Sequence, residues 1–203
     1  SASFAAPSGP AEEKLVRTAL RGGSLKADEL CHVECFANGS PMGDAIEAGA
    51  LKNVFPTQAE TLLLGTHKSN IGHSEASSGV VGMIKAVQVV NAQMTSPNLH
   101  LQEISPKIAF EEFGIALPGA CGGVEALRAE DKRERVITGQ NSFGASGTNA
   151  HAVVEQTIPP RTRFEVQDST RPVMYERQTF TWWEEGEEST PALVRLIHPQ
   201  LLQ

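Results

Sequence analysis

The sequence predicts an α/β fold in which helices layer on a sheet. Leu62-Leu63-Leu64-Gly65-Thr66 is too short and too uniformly apolar for a helix, and reads as a buried strand. Val80, Met83, Ile84, Val87 and Val90 recur every three or four positions, the period of a helix face. Arg135-Val136-Ile137-Thr138-Gly139-Gln140 and Ala150-His151-Ala152-Val153-Val154-Glu155 flank a Gly/Ser/Asn stretch and read as the strands of a hairpin. Helix, strand, helix, strand, helix and then strands is the order expected of a layered α/β domain.

Each element has local signals. A first helix opens at Pro10, with Ser8 or Gly9 as cap and Glu12-Glu13 at the positive end of the helix dipole. Leu15, Ala19 and Leu20 supply its buried stripe, and Gly22-Gly23 stops it. Cys31-His32-Val33-Glu34-Cys35-Phe36 reads as a short strand, followed by a polar loop over residues 37–43. Asp44 is placed to cap a second helix, with Glu47 three residues on as its capping-box partner and Pro56 closing it. Lys68 to His73 reads as a strand end and turn. A helix rich in Ala, Ser and Gly in its first turns then runs from Glu75 to about Gln93, and Pro97 ends that region. Phe113 to Leu117 reads as a further short strand, and Gly119 to Gly123 as loop.

Composition limits the function classes. The chain has 203 residues, 40% apolar and 20% charged, as expected for one medium globular domain plus a tail. Its net charge is −7, from 17 basic and 24 acidic residues, with no basic block of the kind nucleic-acid phosphates require. No apolar run approaches the ~20 residues of a transmembrane span, and Ser1 to Pro10 lack the order of a secretory signal. Three cysteines without a framework point to reduced thiols and an intracellular setting, and no spacing suggests a metal site.

Three motifs carry a more specific reading. They are Gly39-Ser40-Pro41-Met42-Gly43-Asp44, then Lys68-Ser69-Asn70-Ile71-Gly72-His73 with Glu75-Ala76, then Asn141-Ser142-Phe143-Gly144. In this order the chain resembles, over about residues 4–156, the C-terminal half of a β-ketoacyl synthase of the polyketide-synthase type. The resemblance implies the C-terminal half of a thiolase-like α/β/α layered fold over residues 1–156, with an extended arm over 157–203. It implies decarboxylative condensation as the family's chemistry, with a cysteine thiolate to hold an acyl group and two imidazoles to stabilise the enolate. It also implies a phosphopantetheine-borne acyl group as substrate, with no covalently bound cofactor. The partners it implies are an acyl carrier protein and another polypeptide, either the nucleophile-bearing half or a larger complex.

Carried over residue by residue, His73 matches the second histidine, Lys68 holds and polarises it, and Glu75 supports it from behind. The first histidine should open a His-Gly-Thr-Gly-Thr-Pro loop, and Phe36 falls at its position, a ring that can neither donate a hydrogen bond nor carry a proton. His32 is no substitute, because four residues of strand span about 13 Å. Asn38 and Ser40 fall where the family contacts the pantetheine arm. Phe143, Gly144, Ala145, Ser146 and Gly147 match the loop that completes the oxyanion hole, with Ala145 and Ser146 replacing a gate phenylalanine and a glycine. The nucleophile is expected on sequence N-terminal to Ser1, since Cys31, Cys35 and Cys121 lack the helix-start setting it needs.

Beyond Pro159-Pro160 the composition shifts to Arg, Glu, Thr and Pro. Arg171-Pro172 to Trp182 is similar to a post-synthase linker, and Ile197-His198-Pro199 to the opening of a dehydratase domain. Three readings of function stay open at this point. The chain completes a split or processed ketosynthase, it binds or transfers acyl groups without elongation, or it is a non-catalytic subunit on a repurposed fold.

Overall fold

The computed structural model describes residues 6–55, 61–108, 115–119, 125–126 and 135–156. Pro56, Cys121, Phe113 and the arm over 157–203 lie outside the described residues, as does most of the loop expected from Gly119. The helices are α1 (Gly9–Gly22), α2 (Gly43–Val54), the single turn α3 (Lys68–Ile71) and α4 (Ser78–Ala92). The strands are β1 (His32–Glu34), β2 (Leu62–Gly65), β3 (Met94–Thr95), β4 (Ile115–Ala116), β5 (Glu125–Ala126), β6 (Ile137–Phe143) and β7 (Asn149–Glu155).

Five strands form one mixed sheet in the order β4-β2-β1-β6-β7. β1 lies parallel to β2 and to β6, with Val33 opposite Leu64 on one side and Gly139 on the other. β2 and β4 are also parallel, whereas β6 and β7 form the expected antiparallel hairpin, from Ile137 opposite Glu155 to Phe143 opposite Asn149. β3 and β5 make a separate two-stranded antiparallel ribbon.

Alternation along the strands sorts the core into two faces. Leu62, Leu64, Val33 and Cys35 pack with Val16 and Leu20 of α1 and with Leu51, Val54 and Phe55 at the end of α2. Leu63 points the other way and joins Val89 and Val90 of α4, with Cys31 and Val136. The result is three layers, α1 and α2 on one face of the sheet and α4 on the other. Each fully buried aliphatic residue contributes roughly 1.5–3 kcal/mol of transfer free energy.

Several local expectations need correction. α1 buries Glu12, Val16 and Leu20, spaced one turn apart, in place of the stripe through Leu15 and Ala19, which are half-buried. Residues 68–71 are a helical turn and not a strand end, because β2 stops at Gly65 and the chain turns at once. α2 has no side-chain cap: Met42 occupies the cap position, and Asp44 sits in the first turn. Glu47 turns away from its expected capping role to bind the backbone after β1.

The largest correction concerns α4. Its buried face is Ser78, Gly82, Ala86, Val89 and Val90, while Val80, Ile84 and Val87 are exposed at 64%, 56% and 39%. Close approach to β6 decides this. A Cβ on Gly82 would stand 2.8 Å from Gln140 Nε2, and one on Gly79 would stand 2.9 Å from Ser142 Oγ. The small residues of the first turns therefore meet the sheet, and of the expected apolar row Val80, Ile84 and Val87 face outward, Met83 is half-buried and Val90 alone is buried.

Candidate active site

β1 ends at Glu34, and the chain then delivers Phe36 to the C-terminal edge of the parallel strands, the customary place for sites in such sheets. Phe36 is the centre of the cluster. The His73 ring meets it edge to face, with centroids 5.6 Å apart and planes at 89°. Phe143, the last residue of β6, lies at the same centroid distance and a tilt of 45°. Lys68 Nζ stands 4.8 Å from the ring centroid, in cation–π range. Thus four residues singled out from the sequence, Phe36, Lys68, His73 and Phe143, meet in space.

Burial pulls the Lys68 ammonium below its usual pKa, against the raising effect of Glu34, Glu47, Cys35 and Asp44. His73 itself is exposed and follows Gly72, whose φ of +79° only glycine adopts without strain. Glu75 is exposed at φ +48° and makes no hydrogen bond to His73. Its expected support of the imidazole is absent from this geometry.

The loop after Phe36 is held from below by a carboxylate. Glu47, buried within α2, accepts hydrogen bonds from Phe36 N at 2.8 Å, Ala37 N at 2.9 Å and Asn141 Nδ2 at 2.8 Å. Asn141 Oδ1 in turn lies 2.6 Å from His151 Nδ1 on β7. Burial drives the His151 pKa down to about 4, so its imidazole is neutral near pH 7. Asn38 and Ser40 each turn an acceptor oxygen onto their own loop. Asn38 Oδ1 accepts from Ser40 N at 3.1 Å, and Ser40 Oγ accepts from Gly43 N at 3.2 Å.

The oxyanion-type loop is shorter than its motif suggests. Phe143 belongs to β6, leaving Gly144, Ala145, Ser146 and Gly147 as an exposed turn closed by Gly144 N to Thr148 O at 2.7 Å. The left-handed position is Gly147, at φ +91°, so Ser146 carries no backbone strain.

Neither described cysteine is placed as a nucleophile. Cys31 and Cys35 are buried immediately before and after β1, and burial pushes the Cys35 thiol well above its ordinary pKa. His32 is wholly buried against Thr95 Oγ1 at 3.2 Å, and burial lowers its pKa to about 4. Among the described residues no cluster of His, Cys, Asp or Glu could hold a metal ion. Likewise, no described helix is long and apolar enough to cross a membrane.

Sequence reasoning missed the groups that brace this cluster: Glu34, Glu47, His67 and Lys85. The available signal was a glutamate on a strand otherwise built for burial, since a buried carboxylate requires partners.

The comparisons with known proteins agree with this fold. The profile of the β-ketoacyl synthase C-terminal domain matches residues 1–102. Erythronolide synthase EryA2 of Saccharopolyspora erythraea is 40% identical over 159 residues, which are 75% of this chain and 4% of that protein. The spectinabilin polyketide synthase system protein NorA' of Streptomyces orinoci is 37% identical over 158 residues, 76% of this chain and 4% of that protein. The ketosynthase from module 6 of the bacillaene synthase of Bacillus subtilis superposes with a TM-score of 0.71 at 29% identity, over 78% of this chain and 28% of that one. The chain belongs to the β-ketoacyl synthase family, as a ketosynthase C-terminal domain on a thiolase-like fold. It spans less than a tenth of those polyketide synthases and little more than a quarter of the ketosynthase structure.

Proposed function

We propose that these residues form one half of a ketosynthase site that does not catalyse decarboxylative condensation by itself and acts together with a nucleophile-bearing half. The observation that carries the reading is the Phe36 ring wedged between His73, Lys68 and Phe143. An enolate forming beside His73 would meet one imidazole and one apolar ring, where the chemistry wants two donors. The remaining parts, Lys68, His73 and the 144–147 turn, still suit the holding of an acyl group presented on a phosphopantetheine arm by a carrier protein. The exposed row Val80, Ile84 and Val87 on α4 supports the need for a partner, since large exposed apolar rows mark contact surfaces. Three cysteines without a disulfide framework in the sequence fit an intracellular setting.

The test is carbon dioxide release from a malonyl thioester by the assembly of this chain with a nucleophile-bearing ketosynthase half. No release from the wild type and measurable release from the Phe36→His variant is the expected pair of results. Acyl transfer without release identifies a non-elongating module. Wild-type release at the rate of a two-histidine ketosynthase overturns the proposal. An assembly that neither binds nor transfers acyl groups, even as Phe36→His, leaves a subunit that has kept only the fold.

A further inference from the structure

The segment that carries Lys68 and His73 is a loop over residues 68–77, exposed through most of its length, that leaves the core at His67 and re-enters it at Ser78. Its hydrogen bonds are short-range: Gly72 N to Lys68 O at 3.0 Å and Ser77 Oγ to Ser74 O at 2.9 Å within it, and Ser69 Oγ to Thr66 O, just before it, at 3.0 Å. Such bonds shape each turn but do not fix where the loop stands.

The two ends are tied by one buried side chain. His67 Nε2 lies 3.3 Å from Ser78 Oγ, and both residues are 4% exposed. On its other side the same ring lies with Nδ1 at 2.9 Å from Glu34 Oε1, which also accepts the His67 backbone N–H at 2.6 Å. Glu34 Oε2 forms an ion pair with Lys85 Nζ at 2.8 Å. Burial pushes the Glu34 carboxyl up, but the bond from His67 and the charge of Lys85 outweigh it and hold the pKa below its ordinary value. An ionised Glu34 only accepts, so Nδ1 donates to it, and this leaves Nε2 to pair with the Ser78 hydroxyl.

Ser78 and Lys85 are seven residues apart on α4, two turns along one face. The carboxylate on β1 therefore grips α4 twice, directly through Lys85 and through His67 at the helix start. Only the second grip spans the base of the loop.

The geometry points to His67 as a positioning residue: its ring, bridging Glu34 and Ser78, closes the base of the 68–77 loop and so sets where Lys68 and His73 stand against Phe36. This matters for chemistry only if the reading of Lys68 and His73 as site residues holds, but its test reads position alone and can fail or succeed independently of that reading.

The experiment uses the full chain, with His67→Asn and Ser78→Ala as single changes and together. Asparagine can keep the Nδ1-side bond to Glu34 while losing the reach to Ser78, and Lys85 still compensates the carboxylate in every variant. Two readouts are taken: amide hydrogen exchange, and the ring-proton chemical shifts of His73, which the Phe36 ring displaces at 5.6 Å. Each single variant should exchange about tenfold faster across 68–77, equivalent to ~1.4 kcal/mol, with the later turns of α4 and β6 unchanged. The His73 shifts should move towards the values of a free imidazole. The double variant should add nothing further, because both changes break one bond. Ser78→Thr, which keeps the hydroxyl, should restore both readouts. Unchanged exchange and shifts, additive effects, or acceleration spread over the whole chain would overturn the assignment.

Discussion

Replacing Glu12 by glutamine should stabilise this protein at alkaline pH and leave it unchanged in acid. Glu12 lies on the inner side of α1, 3% exposed, with Oε2 buried and no hydrogen-bond partner for it. Burial, and then the negative Glu47, raise its pKa from 4.5 to about 7. Between those values the folded chain holds a proton that the unfolded chain has released, so stability falls as pH rises through that window. About 2.5 units at ~1.36 kcal/mol each gives at most about 3 kcal/mol, lost in full above about pH 7. Glu12→Gln keeps the shape and removes the titration. Urea unfolding of both proteins at about pH 4 and about pH 8 measures the difference, in which carboxylates not coupled to Glu12 cancel and relief of the Glu12–Glu47 repulsion adds in the same direction. The variant should match the wild type at the lower pH and exceed it at the higher one by up to ~3 kcal/mol, a midpoint shift of roughly 1–2 M. A variant no more stable at about pH 8, or a difference independent of pH, would refute the reasoning.

Other perturbations probe other parts of the structure. The imidazole introduced by Phe36→His should titrate about one unit or more below the ordinary 6.5, because the Lys68 ammonium, now 4.8 Å from the ring centroid, disfavours a second cation. An NMR titration giving 6.5 or above would place Lys68 elsewhere. Gly139→Ala should destabilise the chain by ~1–3 kcal/mol in urea. The new methyl would stand 2.8 Å from His151 Cε1, and that ring is anchored to Asn141 at 2.6 Å. A change under about 0.5 kcal/mol would show that the ring gives way freely. Ile84→Lys, on the exposed row of α4, should alter the stability of the chain by no more than about 0.5 kcal/mol. It should weaken assembly with a nucleophile-bearing half at least tenfold by native mass spectrometry, and undiminished assembly would free that row from an interface role.

Much of the layered fold was legible in residue order. The apolar run at Leu62, the small-residue helix after Glu75 and the hairpin around Asn141 each state their own conformation through length, period and turn residues. The motifs likewise named Phe36, Lys68, His73 and Phe143 before their contacts were known. What periodicity could not reveal is which face of a helix is inward. In α4 the row Val80, Ile84 and Val87 lies on a different side from Ser78, Gly82 and Ala86, and transfer free energy alone favours burying the valines and the isoleucine. Packing reversed that choice, because Gly82 permits an approach to Gln140 that no larger side chain at that position would allow.

The sequence by itself determined the succession of the main helices and strands, the family and the identity of the ring at the centre of the site, since these depend on local pattern and on residue type. Tertiary structure alone decided how charge is distributed beneath that ring. Glu47 reads as a helix cap and serves as a backbone clamp, and His67 reads as the residue before a motif and spans its base. Both outcomes follow from one physical cause: a buried polar group binds whichever partners the packed chain brings within about 3 Å, and those partners are 10 to 94 residues away along the sequence.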